Sequence, residues 1–430
     1  MNKAVLKLAI PSILANITVP LVGMVDLAIA GRLGDATLIG GIAIATMLFD
    51  LLYWNMGFLR IGTGGMVAQA YGARDFNSAI RVFTQGIVTA LSIAVLIWII
   101  QFLYIEAAFK FIECSPRVEA LSRDYFFIRI WAAPATLSLF VFKGFFIGMQ
   151  NAISPMIIDV TVNIMNLLAS LYFALLTPMG FSGIAMGTVV AQYTGATLSI
   201  LLLCIYYKKL FKYINIKQSI NLKHIKRFFV INKDLFLRSI CFLFIYTGFT
   251  SLSAKYGDNL LAISTIIMKL MMLYSYFLDG FAYAGEALTG RFIGAKDQAS
   301  LKKAITVIFK WCFSIAIIST FFYYFAGESL FKFMNDNSVV IAESKRFMPW
   351  LLLMPILSCI AFTWDGIFIG ATASKSIRNA MFYSVLGFFA SYYLLKGPLS
   401  IQALWIAYML HLVIRAGYLS IIAKKVIFSN

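Results

Sequence analysis

Ionisable side chains set inside long apolar runs are the residues of this sequence that could do chemistry. Asp26 stands between Val25 and Leu27, and Asp50, Asp159, Asp279, Glu286 and Asp365 have comparable surroundings. Arg60, Arg129, Lys143, Arg238, Lys269 and Arg415 are their basic counterparts. In hydrocarbon such a group is costly, so it faces the protein interior or a water-filled cavity, often with a partner. A desolvated carboxylate is a natural group for proton exchange, which makes Asp26 a candidate proton-coupling residue. Pro11 and Pro20 lie in the same run. Each removes a rung of the helical hydrogen-bond ladder and permits a bend. The competing reading of Asp26 is a structural aspartate hydrogen-bonded to neighbouring helices.

Asp159, Asn163, Asn166 and Ser170 recur at spacings of four, three and four. These spacings place them on one face of a helix. Such a stripe lines a cavity or forms an inter-helix network. Asn163, Asn166, Tyr53, Asn55 and Arg60 are the candidate cavity residues, and Asp159 is a second proton-coupling candidate. Lys269, Tyr276, Asp279, Tyr283 and Glu286 fall roughly on one side of a further helix. With Arg238 and Asp365 they predict a charge network that contains buried pairs.

The elements that must position these residues follow from composition. Of 430 residues, 61% are hydrophobic and 13% charged, against about 25% charged in soluble domains. The solvent of this surface is lipid. A helix crosses the hydrocarbon with about 20 apolar residues, and 87–105 and 184–207 meet that length. The apolar pattern predicts an all-α integral membrane protein with helices over 4–30, 38–66, 80–105, 122–147, 155–176 and 183–207, then 229–255, 259–290, 302–326, 345–370, 377–396 and 400–425. The first of these reads as a retained helix rather than a cleaved signal.

The net charge is +18, concentrated at Lys208, Lys209, Lys212, Lys217, Lys223, Lys226, Arg227 and Lys233. With twelve crossings this cluster, Arg74, Arg81, Arg291, Lys296, Lys302, Lys303, Lys375, Arg378, Lys424 and Lys425 share one side. Basic loops are cytoplasmic, so both termini are expected there, in a multi-pass protein of the cytoplasmic (inner) membrane. The cluster lacks nucleic-acid motif chemistry, and no nucleic-acid partner is expected. The five cysteines are scattered and odd in number, and there are two histidines, His224 and His411. Neither a disulfide framework, a metal site nor an enzyme is expected.

An internal repeat organises the chain. Gly72-Ala73-Arg74-Asp75 recurs as Gly294-Ala295-Lys296-Asp297, and Gly144-Phe145-Phe146-Ile147-Gly148 as Gly366-Ile367-Phe368-Ile369-Gly370, both at an offset of 222. Pro134 and Pro355 agree within one residue. The repeat predicts lobes over 1–207 and 229–430, joined by a basic cytoplasmic linker at 208–228. Each lobe has an even number of helices, so both enter the membrane from the same side. Parallel repeats of this kind commonly hold a substrate between them. Under the offset, Asp26 maps to Gly248, Asp50 to Met272 and Asp159 to Met381, while Lys143 maps to Asp365 with opposite sign. The repeat keeps its glycines, which serve close packing, and loses its charges. The unduplicated charges are the better functional candidates.

The run Val25-Asp26-Leu27-Ala28-Ile29-Ala30-Gly31-Arg32-Leu33-Gly34 resembles the first-helix signature of the multidrug and toxic compound extrusion (MATE) family. Gly57-Phe58-Leu59-Arg60-Ile61-Gly62-Thr63-Gly64-Gly65 with Ala68-Gln69-Ala70-Tyr71-Gly72-Ala73 resembles its DinF branch. So do Leu278-Asp279-Gly280-Phe281-Ala282-Tyr283-Ala284 with Glu286, Asp365-Gly366-Ile367-Phe368-Ile369-Gly370-Ala371-Thr372, and Arg378-Asn379-Ala380-Met381. The resemblance runs through both lobes. It implies two six-helix bundles around a central cleft, and export of organic, often cationic or amphipathic compounds against inward flow of protons or sodium ions. Asp26 then corresponds to the first-helix carboxylate of cation coupling, and Pro11 to the proline at which that helix bends. Asn163 matches a fifth-helix Asn-x-x-x-Asp motif whose aspartate position is Leu167 here, so this lobe lacks one acid unless Asp159 substitutes for it. Asp365 falls where sodium-coupled relatives carry an aspartate. Their partner acid on the seventh helix has no counterpart, since that segment offers Arg238, and this favours protons. A monomeric, cofactor-free antiporter among membrane lipids is expected. A flippase for lipid-linked precursors, a facilitator-type metabolite transporter, a membrane-embedded enzyme and a channel are the rivals. The cavity acids argue against the flippase, and Arg60, Arg129 and Arg238 speak for it.

Overall fold

The computed structural model describes residues 1–32, 36–214, 219, 222–335 and 337–428; the side chains at 19, 21–25, 27, 28, 30–32, 36 and 222–225 lie outside this description. Leu33 and Gly34 of the first-helix signature and Lys217 of the basic cluster are likewise outside it. The described residues form α1 (Asn2–Arg32), α2 (Thr37–Gly72), α3 (Phe76–Phe109), α4 (Pro116–Gly148), α5 (Ile153–Leu175), α6 (Phe181–Tyr207), α7 (Leu222–Ala254), α8 (Asp258–Gly294), α9 (Gln298–Met334), α10 (Ser338–Gly370), α11 (Ser374–Leu399) and α12 (Ile401–Ile427). Nine spans among the described residues are long and apolar enough to cross a membrane.

Several helices begin earlier than the apolar pattern predicts, because polar caps extend them beyond the hydrocarbon. Asp75 accepts from the Ser78 amide at the start of α3, and Asp297 from the Ser300 amide at the start of α9. Ser115 caps α4, followed by Pro116 at its first turn. Such side chains satisfy amide donors that the helix cannot. Three rods contain a 3-10 turn that periodicity did not show: Asn55–Gly57 in α2, Ile130–Ala132 in α4 and Lys345–Phe347 in α10. In α4 and α10 a proline, Pro134 or Pro349, opens the segment after the turn. Pro355, within one residue of Pro134 under the offset, sits inside its helix rather than at a segment start. Its carbonyl accepts from the Tyr274 hydroxyl of α8 at 2.8 Å.

The 222-residue offset governs the backbone. Arg74 and Lys296 take φ of 57° and 55°, and Gln150 and Thr372 take 63° and 54°. Each follows a helix as the left-handed residue of a Schellman cap. Asp75 and Asp297 donate backward to Ala70 and Phe292, and Asn151 and Ala373 to Phe146 and Phe368. The glycines obey the same register. A methyl on Gly144 would collide with the Arg60 carbonyl oxygen, and one on Gly366 with the Ala282 carbonyl oxygen. Arg60 and Ala282 are themselves 222 residues apart. The shared motif therefore holds α4 on α2 and α10 on α8 at backbone contact.

Contacts divide the chain into two compact units. One comprises Leu14–Phe228; the other comprises Met1–Ile13 with Phe229–Asn430. The residues expected as a linker contribute a 3-10 helix at Lys208–Tyr213 and the first turns of α7. Within the second unit, Gly280 of α8 packs against Ala9 and Ile13 of α1. Pro11 belongs to this contact region, whereas Pro20 belongs to the first unit.

Candidate functional site

In the Leu14–Phe228 unit, α1, α2 and α4 bring one group of polar residues together. Asp26 is 5% exposed, and its Oδ1 has no hydrogen-bond partner. The charge facing it is Arg129. Arg129 is the last residue of the first α-helical segment of α4, directly before the 3-10 turn. Its guanidinium lies 4.7 Å from the centre of the Phe49 ring and 5.8 Å from that of Tyr125. Tyr53 and Asp50 of α2 are also within its electrostatic reach. Tyr53 stacks on Phe49 at 5.6 Å, and its hydroxyl is buried without a partner. Two of these groups sit just before the helix interruptions at 55 and 130.

The polar stripe of α5 divides. Asp159 forms an ion pair with Lys143 of α4, so this second expected proton site has its charge matched by a lysine. Asn163 donates to Thr18 of α1 at 2.5 Å. Asn166 donates to Thr188 of α6 at 3.0 Å, and the Ser170 hydroxyl to the Ile184 carbonyl at 3.3 Å. Gly187 of α6 leaves no room for a methyl over Ser170. The far end of the stripe is thus an inter-helix seam, while its near end reaches α1 and α4. Asn55 spends its amide on the Leu51 carbonyl one turn back, at 3.1 Å. Arg60 presents its carbonyl to Gly144.

The second unit treats its acids differently. Asp365 of α10 is 3% exposed. Arg415 of α12 donates from Nε to its Oδ1 at 3.1 Å and from Nη2 to its Oδ2. Arg238 of α7 donates to the same Oδ2 at 2.5 Å. The charge of Asp279 on α8 also reaches Arg415. Glu286 is 1% exposed, and its carbonyl faces Gly370. A further pair joins Asp234 of α7 to Arg378 of α11 at 2.6 Å, with Ser374 donating to the same carboxylate at 3.2 Å. Lys269, expected in this network, is instead exposed on α8. It lies ten residues before Asp279, roughly 80° away around a helix. Arg415 supplies the cation in its stead, a pairing over 50 residues of sequence that no local spacing announces. Among the described residues no three His, Cys, Asp or Glu side chains could hold a metal ion.

The chain was compared with known proteins. The family model MatE matches residues 11–171 and 235–393. DNA damage-inducible protein F of Escherichia coli is 32% identical over 430 residues, covering 99% of this chain and 92% of its own. Multidrug and toxin extrusion protein 1 of Homo sapiens is 24% identical, covering 90% of this chain and 68% of its own. A solved transporter of the MOP superfamily from Pyrococcus furiosus superposes with a TM-score of 0.88 at 18% identity, covering 100% of this chain and 96% of its own. The last comparison speaks to fold and the first two to kinship. Together they place this chain in the multidrug and toxic compound extrusion family of membrane transporters, in its DinF branch.

Proposed function

We propose that this protein is a proton-coupled antiporter that exports organic compounds across the cytoplasmic membrane by alternating access. Asp26 is its coupling carboxylate. The observation that carries this reading is the contrast between two buried aspartates. Asp26 has an oxygen without a partner, whereas Asp365 is engaged by two guanidiniums. A proton needs one free carboxylate oxygen. A sodium ion needs a shell of several oxygens, and at Asp365 the arginines already occupy those positions. The name of the human relative, multidrug and toxin extrusion protein 1, favours extrusion over the flipping of lipid-linked precursors.

In this cycle Asp26 is ionised while the outward-facing site is hydrated and holds substrate. A proton arriving from outside neutralises it. The cost of keeping a charge in hydrocarbon then vanishes, α1 bends at Pro11 or Pro20, and the substrate leaves. The empty protein turns inward and releases the proton to the cytoplasm. The exchange works only if proton and substrate favour different states. Substrates reach the site among membrane lipids, and the monomer is the working unit.

The test is dye transport into proteoliposomes driven by a pH gradient, comparing the parent with Asp26→Asn. Transport that depends on the gradient, survives replacement of sodium by choline and is lost in the variant supports the reading. Transport that instead follows a sodium gradient refutes it.

A further inference from the structure

Arg129 differs from the arginines that the second unit commits to acids. Arg238 and Arg415 are locked on Asp365, and Arg378 on Asp234. Arg129 makes no such ion pair among the described residues; it is held by the Phe49 and Tyr125 rings instead. Its side chain is only partly buried. A guanidinium flanked by aromatic faces keeps its planar fork of donors available for a planar acceptor. Around it stand two further polar atoms without partners, the Tyr53 hydroxyl and Asp26 Oδ1. Tyr193, within electrostatic reach of Tyr53, also lines a groove of about 640 Å³ between α5 and α6 with Ile157, Thr161 and Val190.

The charges decide the class of ligand. An arginine beside the acid repels a plain organic cation. A compound carrying both signs is matched at both ends. We infer that Arg129 is a carboxylate-binding residue, and that this protein transports zwitterionic aromatic amphiphiles that place a carboxylate on Arg129 and their cationic centre toward Asp26. The inference rests on the export reading above.

Two fluorescent dyes isolate the point. Rhodamine 110 carries a free carboxylate beside its cationic ring system, and rhodamine 123 is its methyl ester. Binding to the purified protein is followed by fluorescence polarisation, alongside transport under a pH gradient. The parent is expected to bind the acid about tenfold more tightly than the ester, the value of one charge-assisted hydrogen-bonded contact. Arg129→Gln is expected to bring that ratio to about one. Arg129→Lys, which keeps the charge but not the fork, is expected to leave about threefold, and it serves as the test if the glutamine variant fails to fold. Equal binding of the two dyes by the folded parent, no binding of rhodamine 110, or a ratio unchanged in the variants overturns the inference. The coupling reading is judged separately. If neither dye is driven by the gradient while the acid preference follows Arg129, the antiporter mechanism fails and the carboxylate site stands.

Discussion

Asp26 and Asp365 make a natural controlled comparison. Both are aspartates on apolar helices, one in each unit, and both are almost fully buried. Asp365 is bound by arginines from two other helices, so α7, α10 and α12 are tied at one point. Among the described residues Asp26 keeps one oxygen without a partner and faces a cation held by aromatic rings. A buried pair exchanges its solvation for fixed partners and resists change. A carboxylate without them remains sensitive to whatever arrives, be it water, proton or ligand. On the proposed reading, one fold contains a rigid use and a responsive use of the same side chain.

Substitutions can break this contrast. The largest effect is expected from Asp26→Asn, with gradient-driven dye transport falling roughly a hundredfold while the thermal midpoint in detergent hardly moves. The amide at 365 should do the reverse. Asp365→Asn leaves the buried Arg415 and the partly buried Arg238 short of a counter-charge, and a loss of about 3–5 kcal/mol is expected, read as a lower denaturation midpoint whether or not a gradient is present. Gly144→Ala and Gly366→Ala test what the units share. Each forces a methyl onto a carbonyl oxygen, and each is expected to cost about 1–3 kcal/mol, with the two values alike. A marked inequality would show that the repeat is less symmetric in energy than in register. The smallest effect is a gain. Thr372 is a β-branched residue at φ 54°, and Thr372→Gly is expected to raise stability by about 1 kcal/mol.

Acid should loosen the loops that carry the duplicated caps before it affects the helices. Hydrogen bonds from the Ser300 side chain and amide hold Asp297 below the usual carboxylate range. A depressed folded value means that the cap's contribution is present at neutral pH and is lost as the pH falls through that value. Hydrogen exchange at the 295–301 backbone is expected to quicken below about pH 4. No change there would show that the caps are dispensable.

Much of the architecture was legible in the sequence. Composition identified lipid as the solvent, and two motifs at one offset identified the duplication. Helix ends were misplaced where they are set by Asp75, Ser115 or Asp297 rather than by hydropathy. The 3-10 turns escaped because three residues of tighter winding leave the apolar pattern intact. At the site, the isolation of Asp26 within an apolar run was a local signal and could be read directly. The partners of Asp159 and Asp365 could not. Each depends on which helices lie side by side, and a single sequence carries no trace of that for Lys143 or Arg415. Lys269 misled because residues on one helix were grouped by approximate side, and ten residues are far enough for the angle to drift outward. Tyr125 and Asp234 gave no signal at all; their partners lie on other helices or emerge only in the fold.

The fixed offset also gives this chain an internal standard. Its two halves are castings from one mould, and each position in 1–208 has a counterpart in 223–430. Where the castings agree, as at Gly144 and Gly366 or Arg74 and Lys296, the mould dictates the residue. Where they differ, as at Asp26 and Gly248 or Lys143 and Asp365, the mould left the metal free to be worked afterwards. A designer wishing to transplant a proton site or to erase one therefore has a map of where to look within the molecule, and an acid at Gly248 would first have to displace the Phe389 ring, 2.9 Å from the added Cβ.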